Sequence, residues 1–290
     1  MYAVILSTDP ARPALDPDRV AALSDAWGGG AMHWLAPGEA AEFETAALPA
    51  DFRDQWAAFQ KAGIDLNAVP VAGRRKRMLL ADMDSTMIRQ ECIDELAEIA
   101  GVGAHVREIT ARAMNGELDF EGALRERVGL LKGLDAAVID RVYDERISFM
   151  PGGCELVATM TAAGARCVLV SGGFTAFTGK VAAALGFHEH RANTLGIAEG
   201  RLTGIPVEPI LGREAKVAAL REISRDLGIG LDAVIAVGDG ANDLGMLGLA
   251  GMGVALHAKP RVAEQCALRI NHGDLTALLY LQGYARDDFA

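Results

Sequence analysis

The chain has 290 residues, enough for about two domains at roughly 150 residues each. Its 51% hydrophobic and 23% charged residues exclude a disordered chain. With 28 Lys+Arg against 39 Asp+Glu the net charge is −11, and without a basic stripe this balance argues against a nucleic-acid partner.

The first six residues lack the basic n-region and long apolar core of a signal peptide, and no segment approaches the ~20 continuous apolar residues of a membrane span. The four cysteines, Cys92, Cys154, Cys167 and Cys266, form no C-x-x-C pair and read as reduced thiols. Together these predict a cytoplasmic protein with no membrane partner. Over residues 1–73 the pattern runs strand (2–7), helix (18–27), strands near 32–35 and 42–46, helix (51–62) and strand (66–71). This β-α-β-β-α-β order suits a small α+β domain with helices on one face of an antiparallel sheet. Arg74-Arg75-Lys76-Arg77 then reads as a solvated interdomain linker rather than an anion patch.

From residue 78 to the C-terminus the texture is that of a second, α/β domain (74–290). The runs 78–81, 167–170 and 234–237 are apolar without polar alternation, as in parallel strands buried on both faces. Each ends in polar and glycine residues, and ligands of open α/β sheets bind at the carboxyl ends of strands. Between the first two runs, residues 91–147 read as helical, with breaks at Gly101 to Gly103, Asn115-Gly116 and Lys132-Gly133. The pattern predicts a four-helix insertion, within 89–149, over the strand ends. Residues 188–210 read as a β-hairpin turning near Glu199-Gly200, and 268–282 as a last strand and helix.

Asp82 and Asp84 follow the first run, and both reach one pocket only if the chain turns there. Asp239 and Asp243 follow the third. Four carboxylates on one edge repel by roughly 1 to 4 kcal/mol per close pair, so they need a cation. Hard oxygen donors without clustered His or Cys favour Mg²⁺ over zinc. His188 and His190 lie in the hairpin, away from the acids, and read as surface residues. Ser171-Gly172-Gly173, read as a strand-to-helix turn, offers a hydroxyl and backbone N–H groups to a phosphate. Lys216, near the start of a helical pattern over 213–227, offers a compact positive charge.

The ordered set Asp82-Met83-Asp84-Ser85-Thr86, Ser171-Gly172-Gly173-Phe174, Lys216 and Gly238-Asp239-Gly240-Ala241-Asn242-Asp243 resembles the four motifs of the haloacid dehalogenase superfamily, in the form used by its phosphoserine phosphatases. The likeness extends to Gln90-Glu91-Cys92-Ile93-Asp94-Glu95 and to the stretch from Ala113 to Phe120, and spans about residues 78–274. The first 73 residues are similar to an ACT-like module. The resemblance implies a Rossmann-like core with a parallel sheet, a helical-bundle cap, and Mg²⁺-dependent hydrolysis of O-phospho-L-serine, the last step of serine biosynthesis. It implies Asp82 as nucleophile and Asp84 as general acid and base. Mg²⁺ is then held by Asp82, Asp239 and the main-chain carbonyl of Asp84, with Asp243 in support. Ser171, Gly172, Lys216 and Asn242 bind the phosphoryl group, Glu91 the ammonium and Arg127 the carboxylate, with Met114 and Phe120 excluding water. ACT-like modules often mediate pairing, so a homodimer is an open expectation, and the turns flanking 89–149 are expected to hinge.

Two rival readings stay open: phosphate transfer to, or hydrolysis from, another small alcohol such as homoserine, and an amino-acid sensor with a secondary phosphatase core. A dinucleotide site at Gly238-x-Gly240 fails for want of a third glycine and because Asp239 and Asp243 repel a pyrophosphate. A receiver-type phospho-aspartate switch has no need of a helical insertion.

Overall fold

The computed structural model describes residues 1–114 and 118–290, apart from the side chains of Ala111, Ala113 and Met114. The expected break at Asn115-Gly116 and the Met114 side chain therefore lie outside the described residues. Strand β1 (Tyr2–Ser7), helix α1 (Pro17–Ala26), strands β2 (His33–Ala36) and β3 (Ala40–Thr45), helix α2 (Phe52–Lys61) and strand β4 (Asp65–Pro70) come first. Asp16 starts α1 by accepting from the Asp18 N–H, with Pro17 at the first helical position. The sheet order is β2-β3-β1-β4, with β1 antiparallel to both neighbours, the split β-α-β arrangement. Alternate β1 residues serve two cores. Val4 and Leu6 meet Leu23 of α1, Trp27 just past its end and Phe59 of α2, while Ala3 and Ile5 join the main core.

Next come β5 (Met78–Ala81), four helices α3 (Cys92–Ile99), α4 (Gly103–Met114), α5 (Phe120–Gly129) and α6 (Val138–Arg146), and α7 (Gly153–Ala162). The chain continues through β6 (Arg166–Phe174), α8 (Thr175–Leu185), the hairpin β7 (Glu189–Ala198) and β8 (Arg201–Val207), and α9 (Arg213–Asp226). It closes with β9 (Val234–Gly238), α10 (Leu244–Leu249), β10 (Met252–Leu256), α11 (Pro260–Ala263), β11 (Leu268–Ile270) and α12 (Ala277–Leu281). The second sheet runs β11-β10-β9-β5-β6-β7-β8 and is parallel except for β8. Both faces of β5 are buried. Met78 and Leu80 pack towards Leu220 of α9 and Met246 of α10, and Leu79 and Ala81 towards the opposite layer. Because β5 is followed by β6 on one side and meets β9 on the other, the crevice at its carboxyl end is a topological switch point.

Two local expectations are revised. Ser171-Gly172-Gly173 is not a turn: β6 continues through it to Phe174, with its register against β7 shifting between Val170 and Phe174. Nor is the basic run wholly solvated. The Arg74 guanidinium donates two hydrogen bonds to Glu42, at 2.7 and 2.9 Å, and Lys76 Nζ donates to the carbonyls of Gly73 and Asp232. Among the described residues no helix is long and apolar enough to cross a membrane.

Candidate active site

The ladder of β5 continues one residue past its end, where the Asp82 N–H donates to the Val237 carbonyl at 3.0 Å. The chain then coils. The N–H groups of Thr86, Met87 and Ile88 all donate to the Met83 carbonyl, and Ser85 takes a left-handed φ of 55°. This is the turn that the spacing of Asp82 and Asp84 requires. Asp82 Oδ1 accepts from its neighbour's N–H, Met83, at 2.8 Å and lies 2.6 Å from Lys216 Nζ. Asp84 points elsewhere: Oδ1 accepts from the Cys92 N–H at 2.8 Å and Oδ2 from the Ser171 hydroxyl at 3.0 Å. It thereby satisfies an orphan N–H in the first turn of α3, a task the N-cap residue Glu91 leaves undone. The Glu91 carboxylate instead accepts from the Ser85 hydroxyl at 2.7 Å and faces the cavity.

Of the four expected carboxylates three converge. Oxygens of Asp82, Asp239 and Asp243 lie within 4.8 Å of one another, all buried. Asp243 accepts from the Gly240 N–H at 2.9 Å and sits against Gly238, where any side chain would collide with it. Lys216, 2% exposed in the first turn of α9, lies 2.6 Å from both Asp82 and Asp243. Burial alone would lower the Lys216 pKa, but the two carboxylates outweigh it and hold the amine above its usual value. Burial and Asp243 push Asp82 well above the usual carboxylate range against the pull of Lys216, and push Asp239 up to about 6. Three acids around one ammonium leave an excess of negative charge that a divalent cation relieves. All-oxygen donors fit Mg²⁺.

Above the carboxylates lies a cavity of about 540 Å³. Asp82, Asp84, Ser171, Gly172, Asn242 and Asp239 line its sheet end, and Glu91, Phe120 and Arg127 its helical end. Lys216 and Asp243 are buried behind Asp82. The Phe120 ring, from the first residue of α5, reaches down to β6 so closely that a Cβ on Gly172 would lie 3.1 Å from it. Arg127 donates through Nε to the Ala123 carbonyl, and its guanidinium is pulled down by burial against the opposing field of Asp94, Glu91 and Asp84. Burial and Asp84 push Glu91 up to about 7. His188 and His190 lie away from this cluster: the Nδ1 of His188 accepts from the Cys167 N–H, and that of His190 pairs with the Thr178 hydroxyl. The cavity also holds Asp94, Thr110, Arg213 and Lys259, which the motifs did not single out. Arg213 sits one helical turn before Lys216 and so was within reach of spacing arguments. Lys259 follows β10, a strand not foreseen.

The sequence profile of the haloacid dehalogenase-like hydrolases matches residues 79–248, more than half of the chain. The chain belongs to this family. Among this hydrolase's relatives, the phosphoserine phosphatase of Polaromonas sp. is 47% identical over 210 residues, covering 71% of the chain and 89% of the relative. That of Streptomyces coelicolor is 44% identical over 229 residues, 78% of the chain but only 55% of the relative, which is therefore much the longer protein. A solved HAD family hydrolase from Salmonella enterica superposes with a TM-score of 0.87 at 29% identity, over 97% of this chain and 98% of its own. The likeness of fold thus extends through the N-terminal sheet.

Proposed function

We propose that this hydrolase is a Mg²⁺-dependent phosphatase that cleaves O-phospho-L-serine to L-serine and phosphate, closing serine biosynthesis. The observation that carries the reading is the two-ended cavity, with buried carboxylates at the sheet edge and the acid–base pair Glu91 and Arg127 at the helices. A phosphomonoester with an ammonium and a carboxylate beyond its phosphate matches both ends, and the relatives' names agree. Asp82 Oδ1 is held by Met83 N–H and Lys216, which leaves the second oxygen to attack phosphorus and form an aspartyl-phosphate. Asp84, oriented by Ser171 and the Cys92 N–H, gives its proton to the departing serine oxygen and later takes one from the attacking water. Ser171, the Gly172 N–H and the Asn242 amide hold the phosphoryl oxygens, and Lys216 keeps Asp82 and Asp243 in place beneath them. Asp82, Asp239 and the Asp84 main-chain carbonyl, with Asp243 behind, would hold Mg²⁺, which when bound supplies charge neutralisation of the phosphoryl group.

Within the same proposal, 74–290 is the phosphatase domain. Its helices α3 to α6, inserted at 89–149, act as a cap, with Phe120 excluding water. Residues 1–73 form an ACT-like module through which two chains pair in the cytoplasm. The test is phosphate release from O-phospho-L-serine, O-phospho-L-threonine, phosphohomoserine and p-nitrophenyl phosphate, with Mg²⁺ and with EDTA. A Mg²⁺-dependent preference for phosphoserine supports the proposal. Broad activity sinks the substrate assignment, and no turnover sinks the whole.

A further inference from the structure

Among the described residues, two buried side-chain polar atoms have no hydrogen-bond partner, and one of them, Thr110 Oγ1, belongs to a residue lining the active cavity. A threonine inside a helix ordinarily spends its hydroxyl on the carbonyl three or four residues back. Thr110, in α4, does not, although its oxygen is shut off from water. A buried hydroxyl left without a partner costs free energy unless a bound molecule supplies one. The same cavity is lined by Arg127, from the adjoining helix α5, whose Nε is committed to the Ala123 carbonyl while its terminal nitrogens make no hydrogen bond among the described residues. A carboxylate has about four lone-pair sites, more than one guanidinium satisfies.

We propose that a χ1 rotation, open to a helical threonine, turns the Thr110 hydroxyl into the cavity the residue lines, where it donates to the substrate carboxylate beside Arg127, making Thr110 a residue that selects 2-amino-carboxylate phosphomonoesters over phosphorylated amines without a carboxylate. This deepens, and rests on, the phosphoserine phosphatase reading. It assigns the carboxylate to the α4 and α5 side of the helical end, with the ammonium at Glu91 of the same end.

The test compares the full chain with Thr110→Val, which keeps the branched shape and removes the hydroxyl, and Thr110→Ser, which keeps the hydroxyl. Both are assayed with Mg²⁺ for the KM of O-phospho-L-serine and for the Ki of O-phosphoethanolamine as a competitor. Losing one hydrogen bond to a charged group predicts a KM about tenfold higher in T110V. The phosphoethanolamine Ki should shift by less than about twofold, and T110S should restore the KM. An unchanged KM in T110V overturns the proposal, as does a parallel shift of KM and Ki, which marks a merely structural role. If the unmutated protein does not hydrolyse phosphoserine at all, the underlying reading falls and this one falls with it. The two failures are thus told apart by the activity of the unmutated chain.

Discussion

Lys216 governs the charge of the site while lying beneath it. Its ammonium is 2.6 Å from Asp82 and from Asp243, and none of the three side chains has more than slight exposure. Removing one partner of a buried ion pair strands the others, at a cost of about 3 to 5 kcal/mol. Lys216→Met is therefore expected to lower stability by that amount, read by chemical denaturation, and to abolish phosphate release. Lys216→Arg should not rescue it, since a planar fork does not replace a point charge between two acids. Glu91 gives a pH-dependent counterpart. Its carboxyl is raised to about 7 by burial and Asp84, so the native protein holds this proton more tightly than the unfolded chain. Stability is therefore lost as pH rises from about 4.5 to about 7. Metal-free Glu91→Gln should melt higher than the unmutated protein at pH 8 and level with it near pH 4.5. Equal melting at pH 8 would mean that Glu91 carries no such burden. The acids were legible in the sequence because each follows a buried strand. Thr110 was not, because a helix places it in the cavity through packing that leaves no punctuation in the chain, and Asp94, though it stands in the run from Gln90 to Glu95, carried no role there for the same reason.

At the scale of elements, the carboxyl end of β6 does the closest positioning. A strand containing Gly172 and Gly173 brings its backbone against both Phe120 and the turn that carries Asp84: a Cβ on Gly173 would lie 2.7 Å from Asp84 Oδ2 and 3.0 Å from Ser171 Oγ. Gly173→Ala must move one of them, and a shift of about 1 Å in a reacting group costs up to about 10²-fold in rate. We expect kcat/KM to fall by about 10- to 100-fold with the thermal midpoint nearly kept. Unaltered kinetics would show that Asp84 is not where the general acid acts. Reading these glycines as a turn followed the usual meaning of Gly-Gly. The structure uses them for close backbone approach within a strand, the other meaning that glycine carries there. The strands 78–81, 167–170 and 234–237 were legible because burial on both faces erases alternation. Strand β10 was missed because Gly253 interrupts its run, packed so tightly against the Leu247 backbone that no side chain fits.

At the scale of the molecule, the change of texture from residue 78 falls between the two sheets, but how they join was invisible, since the joining residues are some two hundred positions apart. Strand β4 meets β11 through side chains. The Asn67 amide donates to the Arg269 carbonyl and accepts from the Arg269 N–H, both at 2.9 Å, so a side chain stands in for a strand. Tyr280 donates to Glu39 at 2.6 Å, a buried contact whose burial and carboxylate push the phenol well above its usual range. The strongest joint is Asp65, fully buried, whose carboxylate accepts from three consecutive N–H groups, Asn271 at 2.9 Å, His272 at 3.0 Å and Gly273 at 2.8 Å. Gly273 in turn offers its carbonyl to His257 Nε2, and two residues on the Lys259 N–H donates to the Asp239 carbonyl, so this joint backs onto the active edge. Asp65→Asn keeps the shape but replaces one accepting oxygen with a donor, leaving at least one buried N–H unpaired. Hydrogen bonds to charged groups are worth about 1.5 to 3 kcal/mol each, so a loss of about 2 to 4 kcal/mol in unfolding free energy is expected, with faster proteolysis at residues 71–77. Were stability and cleavage both unchanged, the three N–H groups would have to be satisfied by water, and the junction would be a wet contact between separable units instead of a continuous core.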